Sequence, residues 1–475
     1  MLQEDGPFPN RHLSGFSAIR GLMKIIIAGG GKIGSTLTAQ LSAEGHEITV
    51  IDRKAEVLEN IMESYDVIAV QGNSASMDVL EQADVQEANL LIAATDTDEV
   101  NLLSCMTAHG MNPELHTIGR IRNPEYRRQA FEMRDVFALN MAINPERQAA
   151  HEIARLLKYP GFLKIDTFAK GNVEIVELRI DAKSPLNQAK LSSLSQIVHT
   201  KVLICAVSRN GECYMPDGNF TLQVGDLIFV TAATDHLSIL LRNMGIIARK
   251  AKRVLIAGGG RISYYLVEEL ARTGMACTII ERNSARCREL AALLPSAVIV
   301  EGDASSQDFL NSEGIDDSDA LVTLTGLDEL NIVIALYAHT RNVAQVVTKV
   351  SHAENNLLLD SLHVGSVISP KEMASNNIVR YVRAMQNKEG AALTIHSIAG
   401  GKAEAIEFLV DADTRHVGQP LREVKTRSDV LIVSVSRGDQ TIIADGSTAY
   451  QEGDTLVVVT NRTSTIRSLN DIFED

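Results

Sequence analysis

Three glycines, Gly29, Gly31 and Gly34, form a Gly-x-Gly-x-x-Gly turn, and a carboxylate, Asp52, follows about 20 residues later. That combination suits a dinucleotide. The first glycine permits a tight turn, the second lets a pyrophosphate approach the backbone, and the third allows a helix to pack closely on the strands. Lys32 and Ile33 occupy the turn between the last two glycines, where free N–H groups of a helix start would face phosphate. Asp52 is placed to accept from a ribose hydroxyl and to disfavour a 2′-phosphate, and Arg53 stands beside it.

These residues need elements to hold them. An apolar run, Lys24 to Ala28, enters the turn, a helix-compatible stretch from Ser35 to Glu44 leaves it, and a second run ends at Asp52. Further apolar runs near 67–70, 90–94 and 115–120, with a sixth expected near 136–139, alternate with helical patterns and predict a parallel, doubly wound Rossmann-like sheet. The binding crevice of such a sheet lies beyond the carboxyl ends of its strands. Asn73 and Ser74 fall there after the third run, Thr95 and Asp96 after the fourth and Arg120 after the fifth. Arg120 would bring positive charge and Thr95 a hydroxyl to phosphates.

The pattern then recurs. Arg253 to Ile262 repeats Lys24 to Ile33 at a displacement of 229 residues, so Gly258, Gly260, Arg261 and Ile262 form a second turn, and Glu281 answers Asp52. Asp303 answers Asn73, Thr325 answers Thr95, Asn331 answers Asn101, and Lys349 answers Arg120. The copies differ where Ser263 replaces the third glycine and Gly326 replaces Asp96. Beyond each unit, Pro185-Leu186 and Pro420-Leu421 correspond, as do Ser208-Arg209 with Ser436-Arg437 and Gly225-Asp226 with Gly453-Asp454. Self-similarity at so long a period implies a duplicated two-part module.

The expected fold is therefore α/β: two tandem modules, each a Rossmann-like doubly wound parallel sheet followed by a small α+β domain. Residues 1–22 are expected to be a disordered extension. The nucleotide-binding domains span 23–144 and 252–370, the connecting helices 145–160 and 371–388, and the small domains 161–245 and 389–475. The basic run 249–253 between modules reads as a solvated linker.

With 475 residues, 45% apolar content, no Trp and a net charge of −15, the chain has several cores and no electrostatic footprint for nucleic acid. Its five scattered cysteines show no CxxC spacing and read as buried hydrophobes, and no His, Cys or carboxylate spacing suggests a metal. No stretch has the roughly 18 uninterrupted apolar residues of a membrane span, so no insertion is expected. Nor is a catalytic residue legible: no acid–base constellation, nucleophile elbow or Walker lysine accompanies either turn. Two nucleotide sites on a jointed body suit a sensor. An NAD-dependent oxidoreductase with a duplicated cofactor-binding body is the alternative.

The series Gly29 to Gly34, Ile51-Asp52-Arg53, Gly72-Asn73-Ser74, Ala94-Thr95-Asp96 with Glu99 and Asn101, and Gly119 to Tyr126 resembles the regulator-of-potassium-conductance family. The resemblance implies a non-enzymatic cytoplasmic protein, peripheral on the inner face of the cell membrane. It would bind NAD or NADH, and in some members ATP or ADP, assemble as a homotetrameric ring and gate a potassium-translocating membrane subunit. It carries over Gly29, Gly31, Gly34, Asp52, Arg53, Asn73, Ser74, Thr95 and Arg120 as nucleotide contacts, with Gly258, Gly260, Glu281, Asp303 and Lys349 following from the internal repeat.

Overall fold

The computed structural model describes residues 22–474 apart from 160, 169–172, 200, 234–236, 244–250, 352–361, 363, 387–391, 400–401, 439, 462–465 and 467. Of the extension 1–22 expected to be disordered, residues 1–21 lie outside the described residues, as does the start of the basic run.

The first parallel sheet contains β1 (Lys24–Ala28), β2 (Glu47–Asp52), β3 (Ile68–Gln71), β4 (Leu90–Ala93), β5 (His116–Arg120) and β6 (Met141–Ile143), in the order β3-β2-β1-β4-β5-β6. Its central strand β1 is flanked in parallel by β2 and β4, and Ile25, Ile26 and Ile27 are buried, as a sheet covered on both faces requires. The order reverses between β1 and β4, which places the glycine turn at the switch point. The sixth strand lies at 141–143, a few residues beyond the 136–139 expected for it. Ala138 adopts a left-handed φ of 52°, which a strand does not accommodate, and pairing with β5 begins only at Met141 opposite Ile118.

The chain continues through a connecting helix, Pro145–Lys158, capped by the Asn144 side chain, which accepts from Arg147 N at 2.9 Å, with proline in the first turn. The small domain that follows is an antiparallel sheet of β7 (Lys164–Phe168), β8 (Val173–Arg179), β9 (Leu203–Arg209), β10 (Glu212–Tyr214) and β11 (Leu227–Ala233), ordered β10-β9-β11-β8-β7. The β9–β10 hairpin turns on Asn210 and Gly211, both at positive φ. The repeated Ser-Arg and Gly-Asp dipeptides meet here: Arg209 donates to both carboxylate oxygens of Asp226 at 2.7 Å. Arg437 does the same to Asp454 in the second module, at 2.8 and 2.7 Å.

The second module repeats the plan. Strands β12 (Arg253–Ala257), β13 (Ala276–Glu281), β14 (Ala297–Glu301), β15 (Ala320–Thr323), β16 (Gln345–Lys349) and β17 (Ser366–Ile368) are ordered β14-β13-β12-β15-β16-β17. Its connecting helix is Pro370–Gln386, and its small sheet holds β18 (Ala392–Ile398), β19 (Ala403–Leu409), β20 (Val430–Arg437), β21 (Gln440–Ile443) and β22 (Thr455–Asn461), in the order β18-β19-β22-β20-β21.

The modules exchange their connecting helices. Ala150, Ile153 and Leu157 of the first share a core with Leu266 and Leu270 on the helix Arg261–Ala271 of the second parallel unit. Reciprocally, Ala374, Ile378 and Val382 of the second connecting helix share the core of the first unit with Leu37 and Leu41. The small sheets also share one, in which Phe168 and Phe229 join Val433 and Val457. Polar contacts reinforce the clasp: Arg383 to Glu44 at 2.6 Å, His151 to Glu269 at 2.6 Å and Lys201 to Asp445 at 2.6 Å. Among the described residues, no helix is long and apolar enough to cross a membrane.

Candidate nucleotide clefts

In the first turn Gly29 has φ +103°, and a Cβ there would sit 2.8 Å from the carbonyl oxygen of Ala94. A Cβ on Gly34 would lie 1.8 Å from Gly29 O, so the helix Lys32–Ala43 rests directly on the turn. Nothing lies within 4 Å of the corresponding point over Gly31. The cradle is therefore closed below, by strand and helix, and open where a pyrophosphate would approach. No side chain caps the start of this helix. The arrangement fits a dinucleotide.

Asp52 also has a structural role. Its Oδ2 accepts from Gly30 N at 2.8 Å and its Oδ1 from Lys54 N at 2.9 Å, so β2 is pinned to the turn. Each oxygen keeps a further lone pair for a ribose hydroxyl. Across the cleft, buried Asn101 accepts from Thr95 N at 2.8 Å and from Thr95 Oγ1 at 2.7 Å, and donates to Arg120 O at 2.9 Å. Arg120 in turn donates from Nη2 to Thr95 O at 2.6 Å, with Asp96 at 3.9 Å. Burial, and then the neighbouring Arg122, depress the Arg120 pKa, while Glu146, Asp96 and Asp98 oppose them.

The second cleft reproduces this network. Glu281 accepts from Gly259 N and Asn283 N, both at 2.8 Å. Asn331 accepts from Thr325 N at 2.9 Å and Thr325 Oγ1 at 2.8 Å and donates to Lys349 O at 3.0 Å, and the Lys349 ammonium donates to Thr325 O. Burial holds Lys349 below the usual lysine value, Asp328 opposes that, and Lys32 adds to it from the other module. Ser263 is accommodated where the first copy has Gly34: its hydroxyl donates to Gly258 O at 2.5 Å, turning a close approach into a hydrogen bond.

The expected residues are not all disposed alike. Arg53, Asn73 and Asp96 are exposed, Asn73 closing a local turn by accepting from Ala75 N at 3.3 Å. Ser74 is buried, 3% exposed, with its hydroxyl 2.9 Å from that of Ser104. Asp303 accepts from Ser305 N at 2.9 Å, and this bond, with the Ser305 hydroxyl, lowers its pKa. Ile33 and Ile262 are buried under their turns, while Lys32 and Arg261 are exposed.

A cavity of about 720 Å³ gathers Gly258, Gly260, Arg261, Ile262, Glu281, Asp303 and Lys349 with Lys32, Ile33 and Arg120 of the first module. That volume lies within the roughly 300–1,000 Å³ of small-molecule sites. Its walls include Pro145-Glu146 and Pro370-Lys371, the first residues of both connecting helices. Neither module's sequence pattern, taken alone, places residues of the first module in the second cleft. The signal of this sharing was the apolar stripe of Pro145–Lys158, whose Ala149, Ala150, Ile153, Ala154 and Leu157 are buried in a core that takes in the second module.

Comparison with known proteins bears on these clefts. The TrkA-N domain model matches residues 25–145 and 254–370, and the TrkA-C domain model matches 175–245 and 405–473. The chain is 30% identical over 442 residues to the Trk system potassium uptake protein TrkA of Vibrio alginolyticus, covering 92% of this chain and 95% of that one. It is likewise 30% identical over 457 residues to the protein of the same name from Halomonas elongata, covering 95% and 99%. Among solved structures, the GsuK channel bound to NAD superposes with a TM-score of 0.60 at 20% identity, covering 94% of this chain and 78% of the channel. The GsuK RCK domain gives 0.60 at 19% identity, covering 94% and 93%. With both domain types present twice and the likeness extending over almost the whole chain, the chain belongs to the TrkA family.

Proposed function

We propose that this chain is the regulatory subunit of a Trk-type potassium-uptake system, binding a nucleotide in its clefts and gating a potassium-translocating membrane subunit through a change of shape. The observation that carries this reading is the shared cleft. The second turn, two cations of the first module (Lys32 and Arg120) and the first residues of both connecting helices line one cavity. A nucleotide bound there touches the joint between modules, and a ligand shifts a conformational equilibrium by its difference in affinity for the two states.

NAD or NADH, or alternatively ATP or ADP, supplies the phosphates and ribose for which the turns and Asp52 or Glu281 are arranged. Gly29, Gly31 and Gly34 would admit the pyrophosphate, Asp52 would take the ribose hydroxyls, and Arg120 and Lys349 would offset phosphate charge. The role assigned is regulatory rather than catalytic, in keeping with membership of the TrkA family. Relatives named for potassium uptake also give the oxidoreductase alternative no support. Assembly as a homotetramer on the cytoplasmic face of the membrane completes the proposal.

Deleting the gene tests it. Growth and potassium uptake should fail when external potassium is scarce and recover on complementation, whereas unchanged uptake in a strain without redundant systems would overturn the reading.

A further inference from the structure

A separate cavity of about 690 Å³ lies where the two connecting helices, the helix Arg261–Ala271 and β7 come together, and it shares no lining residue with the second nucleotide cleft. Its wall holds three buried polar atoms without a hydrogen-bond partner: Gln148 Oε1, Glu152 Oε1 and His396 Nε2. The other Glu152 oxygen is held by Arg155 at 3.0 Å. His396 Nδ1 lies 3.1 Å from Asp166 Oδ1. A carboxylate only accepts, so Nδ1 carries the proton in the neutral ring and Nε2 is left with a lone pair. With Glu152 ionised and His396 neutral, all three orphaned atoms are acceptors.

The same cavity is lined by Arg147, Arg272 and Arg380, none of which makes an ion pair among the described residues. Unpaired buried acceptors call for a donor-rich group, while Arg147 and Arg272, which are exposed, and half-buried Arg380 have guanidinium groups available to a carboxylate. Among the described residues no group of His, Cys, Asp or Glu is placed to hold a metal ion, and an organic ammonium would supply the donors. A primary ammonium brings three N–H donors.

We propose that this cavity binds an amino dicarboxylic acid, its ammonium donating to Gln148, Glu152 and His396 and its carboxylates pairing with the arginines. Both modules supply walls, so an occupant favours one arrangement of the joint and provides a second input beside the nucleotide. That consequence rests on the regulatory reading, whereas the binding itself does not.

The test is calorimetric titration of the full chain, without nucleotide, by L-glutamate, by glutarate, which lacks the ammonium, and by butylammonium, which lacks the carboxylates. L-glutamate should bind saturably and the other two at least about tenfold more weakly, since each loses one set of charged hydrogen bonds. Gln148→Leu and Arg272→Gln should each weaken L-glutamate by about tenfold, with NAD titration and thermal melting unchanged. If Gln148→Leu does not fold, the exposed Arg272→Gln decides. Absence of saturable L-glutamate binding, equal binding of glutarate, or a folded Arg272→Gln protein that binds like the wild type would overturn the proposal.

Discussion

Replacing Gly34 tests the first cleft most sharply, and the paired replacements alanine and serine give opposite expectations from size alone and from chemistry. A Cβ at position 34 falls 1.8 Å from Gly29 O, 2.9 Å from Gly29 C and 3.4 Å from Ile27 Cγ2. The obstacle is backbone, so the helix or the turn must retreat by roughly an ångström before the contact becomes tolerable. Overpacking of this kind costs about 1–3 kcal/mol, and a backbone obstacle puts Gly34→Ala at the upper end. If the displacement is expressed in the bound geometry of the turn, NAD affinity at the first cleft falls about 100-fold. Serine is larger, yet the second module shows how it fits: Ser263 Oγ donates to Gly258 O at 2.5 Å. A hydrogen bond recovers about 1 kcal/mol, so Gly34→Ser should bind NAD about fivefold more tightly than Gly34→Ala. Calorimetric titration, with the second cleft disabled by Lys349→Ala, measures both. Wild-type affinity in Gly34→Ala, or weaker binding by the serine variant, would refute the reasoning.

Three further outcomes follow from the same geometry. Asp226, 1% exposed, holds Arg209 through two bonds and also accepts from Gln223 N at 2.8 Å, so Asp226→Asn should lower urea-measured stability by about 3 kcal/mol. The cost at Asp454→Asn should be smaller because its partner Arg437 is more exposed, at 45% against 23% for Arg209. Removing buried Asn101 as alanine strips Thr95 N and Arg120 O of their partner, which should cost about 2 kcal/mol in melting experiments and weaken nucleotide binding; an unaltered affinity would separate this network from the cleft. Glu152 supplies a pH dependence. Burial, opposed by Arg155, raises its carboxyl to about 7 from the ordinary 4.5. The folded chain then binds more protons than the unfolded one between these values, so stability is greatest below 4.5, declines as pH rises through the window, and above 7 carries a full cost of about 3 kcal/mol. Glu152→Gln should flatten this decline, and a wild-type-minus-variant difference independent of pH from 5 to 8 would remove Glu152 from the account.

The parallel units were legible because their signals are local. A strand, a glycine turn and an acid at fixed spacing must adjoin in space, and the duplication marked the same residues twice. The Arg209–Asp226 and Arg437–Asp454 pairs were visible as repeated dipeptides, although their contact became apparent only in the folded sheets. What the sequence concealed arises from long-range packing. The apolar stripe of Pro145–Lys158 announces that Ile153 and Leu157 will be buried, but not that they will meet the other module or that Lys32 will line the cleft of the second turn. The side-chain direction of Ser74 was hidden for a similar reason, because its partner Ser104 lies 30 residues away, on the helix Asp98–Met111. Ser263 looked like the loss of a glycine, and only the carbonyl beside it reveals a compensating bond.

The central claim is that nucleotide in the clefts controls a potassium-translocating partner. Rubidium flux through proteoliposomes containing a Trk-type membrane subunit tests it directly, measured with and without the purified chain and across NAD, NADH, ATP and ADP. Flux that changes with nucleotide only when the chain is present, and ceases to respond in a chain carrying both Arg120→Ala and Lys349→Ala, is the predicted result. Flux indifferent to the chain, or a nucleotide response that survives both substitutions, would contradict it.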